Sequence, residues 1–189
     1  MLERGGGPLI AEYAQMWKCD VNDLRRASIL INVGIIRPKK AVHLDFFLMH
    51  ATTSGLFLEI FVNSFKQKEN QSKFLRAKFA VDLLYYVAYG RPKLNLDYLI
   101  NEYQPSKEHS YPNAQNPWLP LIDKCLTHPD EHVLKTIRAL IYAEKFDKTE
   151  LPYLKIAQLV MNALFPADEK YWAHEGTGWD EYWDIVEDV

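Results

Sequence analysis

The sequence predicts an all-α fold, an irregular multi-helix bundle, and three observations carry that expectation. Apolar residues recur at steps of three and four far more than by alternation. Glycine and proline gather at the breaks between those segments. At 189 residues and 48% hydrophobic content, the chain is long enough to bury one core. A single helical domain over 1–189 is therefore expected, with helices at about 8–18, 21–36, 42–65, 71–89, 95–103, 117–126, 130–146 and 151–165.

The first two of these rest on apolar spacing alone. The third contains "HLDFFLMHATTSGLFLEIF" (43–61), an apolar stretch with two histidines set into it. The fourth ends at "YGRPKL", where Gly90 supplies a C-terminal cap and Pro92 forbids continuation. The segment 103–118, "YQPSKEHSYPNAQNPW", carries three prolines among polar turn formers and reads as a surface loop between two helical halves, with His109 exposed. In the helix at 130–146, Asp130 and Glu131 set negative charge against the positive end of the dipole. Val133, Ile137, Leu140 and Ile141 form its core stripe beside a face of His132, Lys135, Thr136 and Ala139. The carboxy-terminal "YWAHEGTGWDEYWDIVEDV" is dense in aromatics and reads as a lid that seals the core; His174 within it has no assigned role.

Composition excludes several classes of function. A net charge of −3 and a pI near 6.1, with no Lys/Arg run longer than two, leave nothing to attract nucleic acid or anionic lipid. Cys19 and Cys125 have no metal or disulfide spacing and read as reduced thiols of a cytoplasmic protein. The start "MLERGGGPLI" lacks the apolar core of a secretion signal. The window Phe46 to Leu58 falls short of the roughly 20 residues needed to cross a bilayer, so no membrane partner is expected. Glycine-rich nucleotide cradles, the GxSxG elbow and the HExxH zinc motif are all absent.

Three side chains stand out chemically. On a helix His50 shares a stripe with Phe47, Ser54, Phe57 and Phe61, so it is expected to point where the phenylalanines point. Two readings stay open: a core histidine bonded to a carbonyl or to Ser54, or a metal ligand, since neutral imidazole is the commonest one. His43 lies on the same stripe but nearer the helix start and solvent. Lys78 has Phe74, Leu75, Val81 and Tyr85 around its stem. It is either a snorkelling lysine paired to Asp82 or a desolvated amine, reactive enough to capture carbon dioxide as a carbamate. His132, in a first helical turn beside small residues, either caps its helix or approaches a ligand.

Taken in order, "DFFLMH" (45–50), "FLRAKFAVDLLYYVAYGRPKL" (74–94), "HPDEHVLKTIRAL" (128–140) and "WAHEGTGWDEYWDIV" (172–186) resemble the C-terminal half of the questin oxidase-like family over roughly 40–187. That family is a fungal-rich group of helical oxidoreductases acting on anthraquinones and related polyketides. The resemblance implies a Baeyer–Villiger or ring-cleaving oxidation of a quinone with dioxygen, with NADPH as a possible cofactor. One ring-cleaving relative implies non-haem iron held by four histidines and a carboxylated lysine. By motif position, His50, His132 and Lys78 would be the metal ligands here, with Lys135 of "HVLK" a second candidate for the lysine.

Family members are generally more than twice as long, and four imidazoles are not reached from His50 and His132 without His43 or groups outside this sequence. The chain is therefore expected to be the C-terminal portion of a larger helical domain, whether through an internal start, a shortened gene or a short paralogue. Surface left by a missing half would favour association. The rival expectation is an inactive helical fragment or interaction module.

Overall fold

The computed structural model describes residues 6–165 and 172–189. Among them, helices α1 (Gly6–Met16), α2 (Val21–Val33), α3 (Phe46–Ser54), α4 (Leu58–Ser64), α5 (Lys68–Ala88), α6 (Trp118–Leu126), α7 (Glu131–Phe146), α8 (Tyr153–Leu164) and α9 (Asp180–Asp184) build the all-α fold that the spacing predicts. Sheet structure among the described residues is confined to a two-residue parallel pair, β1 (Leu44–Asp45) with β2 (Trp172–Ala173), and one isolated bridge, Lys40 to Asp188.

Three aspartates start three of the helices. Asp20 accepts from the backbone of Asp23 at α2, Asp45 from Phe47 and Leu48 at α3, and Asp130 from His132 at α7. Each satisfies amide donors that the first turn leaves without a partner. Asp45 also explains why the expected helix at 42–65 begins only at Phe46: residues 44–45 are extended and paired with β2. Within that stretch the chain tightens through a 3-10 turn at Gly55–Phe57 before resuming as α4.

The helical run Phe46–Ser64 is 19 residues, long and apolar enough by length and composition to cross a membrane. A packed helix of a folded domain has the same composition, and here the run packs on α2, α5 and α7.

The main core lies between α7 and α8, closed by α2, α3 and α6. Val133, Ile137 and Leu140 of the expected α7 stripe, joined by Ala143, form this core with Ile156, Leu159, Val160 and Ala163, while Ile141 packs half-buried at its edge. A smaller core of Leu24, Leu58 and Leu75 joins α2, α4 and α5, with Trp17 and Phe79 packed on it. Arg25, 3% exposed, spans this junction: it pairs with Glu59, donates to Asn22 Oδ1 at 2.7 Å and lies 5.2 Å over the Tyr142 ring. A buried cation requires such partners.

Two expectations about local structure are corrected. The helix expected at 95–103 is present over 96–102 but in π form at Tyr98–Glu102, with its entry tied to the end of α2 by the backbone N–H of Asn95, which donates to Gly34 O at 2.7 Å, and by its side chain, which donates to Ile36 O at 2.8 Å. His109 is buried, not exposed, its ring edge-on to Phe165 at 5.4 Å, because the proline-rich loop folds back over α8 through a 3-10 turn at Lys107–His109. The aromatic tail closes the core as expected, with Trp172 and Trp183 buried. Its Gly178 packs directly on Gly90, whose φ of 86° ends α5 as the sequence predicts.

Candidate functional site

The stripe expected to carry His50 inward turns outward. Leu48, Met49, Ala51 and Thr52 are the buried residues of α3, whereas His50, Phe57 and Phe61 are exposed. Helix α3 is apolar on nearly every side, so its spacing alone does not say which face meets the core. His50 consequently sits on the wall of a groove of about 670 Å³, whose other walls include Lys78, Val81 and Tyr85 from α5 and Lys135 and Arg138 from α7.

Across from it, His132 stands in the first turn of α7. The two imidazole centres are 5.9 Å apart with planes at 62°, and Phe46 packs edge-on to both at 5.0 Å. Their hydrogen bonds define their tautomers. Nδ1 of His50 faces the Phe46 carbonyl at 2.8 Å, and Nδ1 of His132 faces Asp130 Oδ1 at 2.9 Å. A carbonyl or carboxylate oxygen only accepts, so each Nδ1 carries the proton. In neutral rings each Nε2 then keeps its lone pair. Among the described residues neither Nε2 has a hydrogen-bond partner.

Asp130 is shared further, accepting from the Trp172 indole N–H at 2.5 Å. Burial pushes its pKa up, but the bonds from Trp172 and from the backbone and ring of His132 outweigh that and hold the carboxyl below its ordinary value.

The remaining histidines are differently engaged. His43 faces the Tyr182 hydroxyl through Nδ1 at 2.7 Å. His128 donates through Nε2 to Leu164 O at 2.7 Å and accepts through Nδ1 from the Asp130 backbone, so both its ring nitrogens are used in structure. His174 joins the aromatic cluster, 4.7 Å from Phe46. Sequence reasoning missed it because its position comes from the parallel pairing of β2 with β1, which sets the residue after Ala173 beside the residue after Asp45. That pairing joins segments far apart in sequence.

Lys78 lies in the same groove as His50 but is not part of the histidine pair. Its ammonium is ion-paired with Asp82, itself 2.8 Å from the Ser28 hydroxyl, and reaches Ala51 O at 3.5 Å. Burial lowers its pKa, partly opposed by Asp82. Lys135, the other lysine candidate, is half exposed and pairs with Glu131 at 2.5 Å.

The resemblance implies an iron site with four imidazoles and a modified lysine, and these residues bring two imidazoles together. Ring centres 5.9 Å apart are close enough for two imidazoles to reach one ion, at nitrogen distances of about 2.1 Å. The carboxylate behind His132 and the carbonyl behind His50 are the outer partners that metal-binding histidines use. Among the described residues, however, no three His, Cys, Asp or Glu side chains converge as a metal-binding group. The pair by itself would offer two donors.

The chain is similar to known proteins along most of its length. A family described as questin oxidase-like matches residues 1–140, which takes in α1, α2 and the first three motifs and stops short of the fourth at 172–186. The Baeyer-Villiger oxidase ptaJ of Pestalotiopsis fici is 31% identical over 95% of this chain and 44% of its own length. The oxidoreductase AflY of Aspergillus parasiticus is 27% identical over 81% of this chain and 32% of its own. The questin oxidase of Aspergillus terreus is 27% identical over 94% and 43%. The chain thus spans less than half the length of these curated relatives.

Proposed function

The chain belongs to the questin oxidase-like family, and from that premise we propose that it forms part of an oxygen-dependent oxidoreductase acting on an aromatic polyketide of the quinone class. The reaction is a Baeyer–Villiger insertion or a ring cleavage. In the insertion, one oxygen atom of dioxygen enters the bond between the carbonyl carbon and its neighbour, and the other leaves as water. The two electrons come from a reductant, for which NADPH is proposed, oxidised to NADP+. The names of the relatives support the reaction class.

His50 and His132 would hold non-haem iron through their Nε2 atoms, with Lys78, as a carbamate, a third ligand. When bound, the metal supplies activation of dioxygen. The chain's own residues do the rest. Asp130 and the Phe46 carbonyl keep the two rings in the ligating tautomer, Phe46 and Trp172 shield them from water on one side, and the apolar groove walls receive a planar substrate. Between the lysines, Lys78 is favoured over Lys135, because a carbamate forms from a neutral amine and burial favours that form at Lys78, whereas Lys135 is half exposed. The unpaired thiols of Cys19 and Cys125 support a cytoplasmic location.

The observation that carries this reading is the His50–His132 pair, each Nδ1 engaged and each Nε2 without a partner among the described residues. Its test is iron titration of the purified chain under anaerobic conditions, with His50→Ala, His132→Ala and Asp130→Asn alongside. Either histidine variant should abolish binding. Asp130→Asn retains a side-chain cap for α7 and should weaken binding about 10- to 100-fold, the usual consequence of losing an outer-shell partner. Equal iron uptake by all four proteins, or none by wild type, refutes the assignment.

A further inference from the structure

The groove beside His50 does not end at α7. A second groove, of about 470 Å³, runs along the other side of the same wall, and the two share Leu56, Phe57 and Arg138. The second groove is lined by Ile60, Ile122, Leu134, Ile137, Ile141 and Tyr142, and its only charged lining residues are cationic, Arg138 and Lys145.

The state of the charged groups around this joint space is distinctive. In the first groove Lys78 and Asp82 neutralise each other, and Lys135 is taken by Glu131. Glu59, the carboxylate to which Tyr142 donates at 3.0 Å, is paired with Arg25. Lys145 lies at the far end, 5.3 Å over the Phe146 ring. Arg138, at the junction, has no hydrogen bond or ion pair among the described residues. An unpaired guanidinium beside an apolar wall presents a planar fork of donors, suited to a carboxylate or phenolate and weakly hydrated enough to work there.

We propose that the two grooves form one binding site for a planar, apolar ligand bearing a single negative charge, a carboxylate or an ionised phenol, and that Arg138 recognises that charge. The ring system lies along Leu134, Ile137 and Ile141 with its anionic substituent at the junction, so the rest of the ligand extends toward His50. The proposal rests on the oxidase reading for the aromatic body of the ligand, and on the groove itself for the charge.

The test uses anthraquinone-2-carboxylate and its neutral carboxamide as probes, titrated into metal-free protein and followed by calorimetry. Wild type should bind the carboxylate more tightly than the carboxamide. Arg138→Gln should weaken the carboxylate about five- to tenfold, in the range of a charge-assisted bond at a partly exposed site, and leave the carboxamide unchanged. Arg138→Lys should recover part of the loss, and Leu134→Trp, which fills the second groove, should weaken both probes. Arg138 and Leu134 are exposed, so circular dichroism should report an unaltered fold. Unchanged carboxylate affinity in Arg138→Gln, no preference for the anion, or no binding by wild type overturns the proposal. The measurement involves neither iron nor oxygen, so failure of the histidine variants to lose iron would sink the oxidase assignment while leaving this result to stand or fall separately.

Discussion

Asp45, the carboxyl on which α3 begins, sets a pH dependence whose size follows from its surroundings. The residue has no exposed surface. Burial raises its pKa from 3.8 to about 6, against hydrogen bonds from the backbone of Leu48 and Phe47 and from the Thr177 hydroxyl. A carboxyl whose folded pKa lies above its unfolded value binds its proton more tightly in the native state. Its contribution to stability is full below the unfolded pKa and is lost as pH rises through the folded one. The rise from 3.8 to about 6 corresponds to about 3 kcal/mol between the two limits.

Asp45→Asn retains a side-chain oxygen for the two amides, asparagine being as good a helix cap as aspartate, and removes the titration. Urea unfolding of both proteins, followed by tryptophan fluorescence, should give a stability difference that is small near about pH 4 and grows to about 3 kcal/mol in favour of the variant near about pH 7. Subtracting the two proteins cancels groups of opposite sign, such as Asp130 and Asp147, whose pKa values are lowered. A difference that does not change with pH, or a variant less stable than wild type at neutral pH, would refute the reasoning.

Two further outcomes are expected. A Cβ on Gly178 would lie 2.3 Å from the backbone carbon and oxygen of Gly90, where no side chain can swing aside, so Gly178→Ala should cost about 2–3 kcal/mol by overpacking; an unchanged urea midpoint would contradict this. Phe57, Ile60 and Phe61 are 44, 64 and 50% exposed on adjoining turns, an apolar patch that should drive self-association at high protein concentration. Light scattering should show it relieved in Ile60→Lys, and a clean wild-type monomer would count against it.

Much of the helical architecture was legible in the sequence because its signals are local. Asp130 as the start of α7, Val133, Ile137 and Leu140 as its buried stripe, and Gly90 as the end of α5 each depend on a few neighbouring residues, and each is found as read. His50, His132 and Lys78 were read as candidates for one site; the two rings lie 5.9 Å apart, and Lys78 is engaged with Asp82 apart from them. What escaped the sequence depends on contacts between distant segments. The apolar girth of α3 hid which of its faces is buried, and the pairing of β1 with β2 that brings in His174 has no local signature in residues this few. The burial of His109 depends on a polar loop folding back over α8, so loop composition pointed the wrong way.

The position of Lys78 limits how a carbamate could arise there. In the structure its ammonium neutralises Asp82, whose side chain is 7% exposed. Converting that ammonium to a carbamate anion would remove the cation paired with a buried carboxylate and set a second negative charge beside it, with the Ser28 hydroxyl as the remaining partner among the described residues. Two like charges in so dry a place strongly oppose each other. A carbamate at Lys78 is therefore stable only when another cation replaces the lost ammonium, so carboxylation and metal binding should occur together rather than in sequence. Lys135 carries no such constraint, because Glu131 is 72% exposed and remains solvated when released. The lysine that burial makes more reactive is thus also the one whose modification most needs the metal.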